Sequence, residues 1–175
     1  MRKLGIVAIM AIIISMAALG CRSVAVTKEF QNYKAIYVSW LDLGEQNYMA
    51  YGYPIRGEWA NEIKEQNING LQKYTRDYMK GWEVAGAASK NAVPPKNPQL
   101  VVVKFSNVVF NQALFSIRCG MEFHDGASGK LIKHVVVDSS AIAYSPWGYA
   151  DRSFRGRLMN AMYNLAYNIQ YYLTN

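Results

Sequence analysis

Cysteine is nearly absent from this 175-residue chain: there are two, Cys21 and Cys119. That is too few for a disulfide framework or a four-cysteine zinc site. Histidine is equally scarce, with only His124 and His134. With Asp125 beside the first, they do not amount to the three or four ligands at defined spacing that a metal centre needs, and no metal is expected. Acidic residues number 12 against 19 basic ones, and no two carboxylates fall in a catalytic motif. No Gly-x-Ser-x-Gly turn presents a nucleophile. No set of catalytic roles can be filled, so neither an enzymatic activity nor a cofactor is expected. Internal repeats and low-complexity segments are missing too. The one long apolar run, residues 4–19, falls short of the ~20 residues that span a bilayer.

That run follows Arg2 and Lys3 and ends in Ala18-Leu19-Gly20-Cys21. A basic start, a short apolar core and small residues at its end read as a secretory signal. The last four residues resemble the lipobox of bacterial lipoproteins. The resemblance implies cleavage between Gly20 and Cys21, with acyl chains on Cys21 anchoring the chain to a membrane. Arg22, rather than Asp, after the cysteine implies the outer membrane. Residues 1–20 are then a signal peptide, 21–33 a lipidated N-terminus and tether, and 34–175 one envelope domain. Cys119, left without a partner, is expected to be a buried thiol.

Without Arg2 and Lys3 the basic residues number 17 against 12 acidic, a net charge of +5. The charges are spread along the chain rather than clustered, which argues against nucleic acid as a partner. The excess lies in aromatics: 13 Tyr and four Trp.

Read in order, residues 35–41 form a β-rich first strand. Residues 58–80 form a helix, with Trp59, Ile63, Leu71, Tyr74 and Tyr78 near one face and Gly81 as its stop. Residues 82–87 make a short strand, and 88–99 a loop holding Pro94, Pro95 and Pro98. The valine-rich stretch 100–110 is continuous, as a strand buried on both faces would be. Two further long strands, 113–124 and 130–144, flank a hairpin loop at 125–129. The closing helix, 153–173, steps Leu158, Met162, Leu165, Ile169 and Tyr172 along one stripe. The expected fold is α+β: a two-layer sandwich with a mostly antiparallel sheet of four to five strands and two helices.

Residues 100–173 carry a second, fainter likeness. A valine-rich strand, a strand ending His124-Asp125, then Ser128-Gly129-Lys130 and a terminal helix resemble small uncharacterised envelope-lipoprotein families. They are also similar to the N-terminal domain of TolB and to the curli-secretion lipoprotein. This implies a fold, because shared folds host many functions.

Gly126-Ala127-Ser128-Gly129-Lys130 is not a phosphate loop. His124 stands where the first glycine belongs, Leu131 follows the lysine, and a strand rather than a helix comes next. The remaining candidates are two aromatic loops: Tyr48, Tyr51 and Tyr53 within 48–59, and Tyr144, Trp147 and Tyr149 within 144–149. Each can rim the core or present a binding surface, with Arg56, Arg152, Arg155 and Arg157 nearby for anionic groups. Two functions are expected from these features. The first is a non-enzymatic envelope lipoprotein acting through contacts with an envelope protein as an assembly or regulatory factor. The alternative is a glycan or cell-wall binding module using the aromatic loops.

Overall fold

The apolar run 100–103 explains the sheet. Leu100–Asn111 (β3) is the middle strand of five: Ala35–Val38 (β1) and Ser116–Asp125 (β4) flank it, with Glu83–Gly86 (β2) beyond β1 and Leu131–Ser140 (β5) beyond β4. Val101 and Val103 are fully buried on one face, Leu100 and Val102 nearly so on the other. The computed structural model describes residues 24–43, 57–111, 116–140 and 154–175.

The two halves of the sheet obey different rules. Ala35–Val38 (β1) runs parallel to β3 and to Glu83–Gly86 (β2). All four residues of β1 are buried, as parallel strands covered on both faces require. Ser116–Asp125 (β4) and Leu131–Ser140 (β5) continue the sheet antiparallel. In β4, Ile117, Cys119, Met121 and Phe123 are buried against the helices, while Arg118, Glu122 and His124 lie on the open face. The architecture is therefore the α+β two-layer sandwich, its five-stranded sheet mixed rather than antiparallel throughout.

Between β1 and β2 the chain forms a helical crossover: Gly57–Glu65 (α1), a π-helical segment Gln66–Gln72, and Lys73–Tyr78 (α2). It ends as expected, with Gly81 at φ 86°. The π segment was not expected. Two of its polar residues, Gln66 and Asn67, are buried. Asn67 is held by backbone just beyond β1: its Oδ1 accepts from Leu41 N at 2.9 Å, and its Nδ2 donates to Leu41 O and Ile63 O, both at 3.2 Å. The wider π turn thus coincides with a side chain that satisfies both backbone groups of one residue.

β2 returns to β3 without a helix. Residues 87–99 cross the face opposite the helices, where Ala87 and Ala92 pack with Ala35, Tyr37, Leu100 and Val102. This loop is the second cover of the parallel half. Phe154–Thr174 (α3) closes the other layer. Leu158, Met162, Leu165 and Ile169 are fully buried, as the stripe predicts; Leu173 is too, while Tyr172 is partly buried at the rim. Each such buried chain contributes ~1.5–3 kcal/mol.

Residues 27–30 of the N-terminal segment pack onto this core. Thr27 N donates to Leu173 O at 3.0 Å, and Phe30 is fully buried. Phe30 packs against Phe123, ring centroids 5.5 Å apart. Among the described residues no helix is long and apolar enough to cross a membrane.

Candidate functional site

Where the Pro-rich loop meets the antiparallel half of the sheet, a depression of about 240 Å³ opens. Val93, Pro94 and Lys96 form its loop wall, Val102 and Lys104 of β3 its floor, and His124 with the 125–129 turn its far wall.

The turn is built by Asp125. Its Oδ1 accepts from Ser128 N at 2.7 Å and Ser128 Oγ at 2.6 Å, and its Oδ2 accepts from Tyr33 Oη at 2.9 Å. The bond from the Ser128 hydroxyl, then that from its N–H, holds the carboxyl down at about 2. Gly126 is required by close approach: a Cβ there would lie 2.7 Å from Leu100 O and 2.8 Å from Asn97 O. The turn consequently seats flush on the start of β3, with Gly126 N donating to Leu100 O at 2.8 Å. This is the hairpin expected in place of a phosphate loop.

Next to the turn lies a chain of polar groups on the open face. Ser106 Oγ donates to Glu122 Oε1 at 2.8 Å; Glu122 Oε2 lies 3.0 Å from His124 Nε2, whose Nδ1 is 3.0 Å from Gly129 O. The bond from His124, then that from Ser106, holds the Glu122 carboxyl below its ordinary value against the opposing effect of burial. The two histidines do not oppose each other. A register shift at Phe123/His124 sets His134 opposite Glu122 and His124 opposite Leu131. Here the carboxylate sits between serine and imidazole, whereas a hydrolase triad needs the imidazole between the other two. Asp125 is turned to Ser128 and Tyr33. Among the described residues no group of three or more His, Cys, Asp or Glu is placed to hold a metal ion.

Lys96 and Lys104 are exposed and have no ion-pair partner among the described residues. They line the depression together with apolar Val93, Pro94 and Val102, a combination suited to an acidic group carried on a partly apolar partner.

Gly20, Cys21, Tyr48, Tyr51, Tyr53, Tyr144, Trp147 and Tyr149 lie outside the described residues, as do Arg56 and Arg152. Arg155 is engaged with α1, 3.3 Å from Glu65 and 3.6 Å from Glu62. The described tyrosines of the two helical elements form a ladder instead. Tyr74 and Tyr78 each meet Tyr163 with centroids 5.1 Å apart, and Tyr78 meets Tyr167 at 5.7 Å. It closes the seam between α2 and α3. Cys119 is a buried thiol, as expected, pushed up to about 12 first by burial and then by Asp138. Sequence reading missed the depression because Lys96, Lys104 and His124 come from three separate segments. The only early signal was the pairing of a Pro-rich loop with an Asp-x-x-Ser hairpin.

Comparison with protein-family models, with curated proteins and with solved structures gave no match.

Proposed function

We propose that this chain is a bacterial envelope lipoprotein, lipidated on Cys21 and held at the outer membrane, whose folded domain works by binding another envelope protein as an assembly or regulatory factor. The observation that carries the reading is Ala18-Leu19-Gly20-Cys21 at the end of a short apolar run behind Arg2 and Lys3. Two or more acyl chains give stable anchoring where one is marginal. The partner site is the Lys96/Lys104/His124 depression, and the partner presents an acidic segment to it.

Palmitate labelling with membrane fractionation tests the anchor, wild type beside Cys21→Ala. Label and membrane retention should both vanish in the variant. A labelled Cys21→Ala chain, or an unlabelled wild type, overturns the lipoprotein assignment. A photo-crosslinking residue at position 104 tests the contact. It should capture one reproducible envelope protein, and capture should fall when Lys96 is changed to Glu. Silence at position 104 removes the depression as the contact site.

A further inference from the structure

The two edges of the sheet are finished differently. β2 is four residues long, and the crossover caps it. Arg76 Nη2 donates to Val84 O at 3.3 Å, and Gln72 Nε2 to Ala87 O at 2.9 Å. β5, at the other edge, is ten residues long and contains neither proline nor glycine. Its register with β4 is unbroken from Lys133 to Ser140. Among the described residues no group outside β4 hydrogen-bonds to its backbone.

A long, regular edge is a pairing template, and proteins commonly guard one with an outward lysine. The lysine of β5 is diverted from that task. Lys133 faces the helices, where its Nζ donates to Tyr172 O at 3.0 Å and lies 5.8–5.9 Å from the Tyr172 and Phe30 ring centroids. On the open face β5 presents His134, Val136 and Asp138, all exposed, Val136 at 60%.

We propose that β5 pairs antiparallel with β5 of a second copy of this chain, about a two-fold axis at Val136. Opposed residues in an antiparallel pair share a face, so a symmetric pairing must centre on a residue. Centred on Val136, it sets each His134 opposite Asp138 of the second copy, where an imidazole N–H donates to a carboxylate. Val136 then meets its own counterpart, and Val135 meets Val137 on the helix-facing side. Centred on Val135 or Val137, it leaves Asp138 facing Ile132 or Val136. Centred on His134 or Asp138, it stacks like on like. Only one register is complementary in both charge and hydropathy. The two five-stranded sheets become one continuous sheet. This inference stands apart from the lipoprotein reading, since it uses only the folded domain.

The test is cysteine cross-linking of the full-length chain in bacterial cells. Directly opposed residues are ~4.5–5.5 Å apart at Cα, within the range a disulfide spans. Val136→Cys should give a reducible homodimer on mild oxidation. Val109→Cys, on the same face but two strands inward and 52% exposed, should not, with Cys21 and Cys119 as shared background. In the Val136→Cys chain, Asp138→Lys should lower the dimer yield roughly tenfold, because two opposed pairs are lost at once. His134→Lys should raise the yield beside Asp138 and lower it beside Asp138→Lys. The proposal is overturned by a Val136→Cys yield no greater than that of Val109→Cys. It is equally overturned by an adduct to a different protein in place of the homodimer, or by a His134→Lys effect indifferent to residue 138.

Discussion

Lys133 of β5 donates to the carbonyl oxygen of Tyr172 in the last turn of α3, at 3.0 Å, while its ammonium stands over the rings of Phe30 and Tyr172. One side chain thus ties the edge strand, the C-terminal helix and the N-terminal segment together. A cation at a helix C-terminus, hydrogen-bonded to one of its last carbonyls, is favourably placed in the helix dipole. Lys133→Met keeps the apolar stem and removes the charge. It should cost about 1–2 kcal/mol, read as a lower urea midpoint with an unchanged slope. No change in midpoint would show the clamp to be incidental.

Asn67→Ala should cost more, about 2–3 kcal/mol, because it strips partners from buried backbone groups of Leu41 rather than merely losing a bond. Asn67→Leu should be no better, despite its apolar bulk. Hydrogen exchange at the Leu41 amide offers a local check: it should quicken in both variants well before global unfolding. An exchange rate equal to wild type would mean that Leu41 finds another acceptor.

Acid should loosen the hairpin in a defined window. The Asp125 carboxyl is held at about 2 in the folded chain against an ordinary 3.8. A depressed carboxyl stabilises the fold above its unfolded value, and that contribution drains away as pH falls from 3.8 towards about 2. Glu122, lowered as well, acts in the same direction. Thermal midpoints of wild type and Asp125→Asn should differ at neutral pH and converge through that window. Parallel curves down to its acid end would refute the assignment.

Cys119 should resist alkylation in the native chain and react only on unfolding. It is 1% exposed, and its thiol is pushed up to about 12, so thiolate is scarce at neutral pH. Mass-shift labelling with and without denaturant measures this directly. Rapid native labelling would mean that β4 opens far more readily than its packing implies.

Much of the fold could be read from periodicity. The stripe of Leu158, Met162, Leu165 and Ile169 marks the buried face of α3 because a helix offers few alternatives to that spacing. The valines at 101–103 mark the central strand because a strand covered on both faces reads as a continuous apolar run. The parallel pairing of β1 was not legible: its direction depends on residues 87–99 crossing the far face, and loop composition does not encode a route. Nor was the π segment, since the burial of Asn67 is decided by Leu41, 26 positions away. The depression escaped for the same reason. Lys96, Lys104 and His124 become neighbours only once Gly126 has let the hairpin close on the start of β3.

The bond from Thr27 to Leu173 brings the entering and leaving segments of the domain to one pole. A probe attached near residue 175 therefore samples the surroundings of residue 24, and the β4–β5 turn, joined to that pole through Tyr33, shares its vantage. Any surface that holds the chain by its front end is met first by this pole. The edge of β5 leads away from that pole, and a two-fold at Val136 therefore sets the poles of two paired copies at opposite ends of the joint sheet.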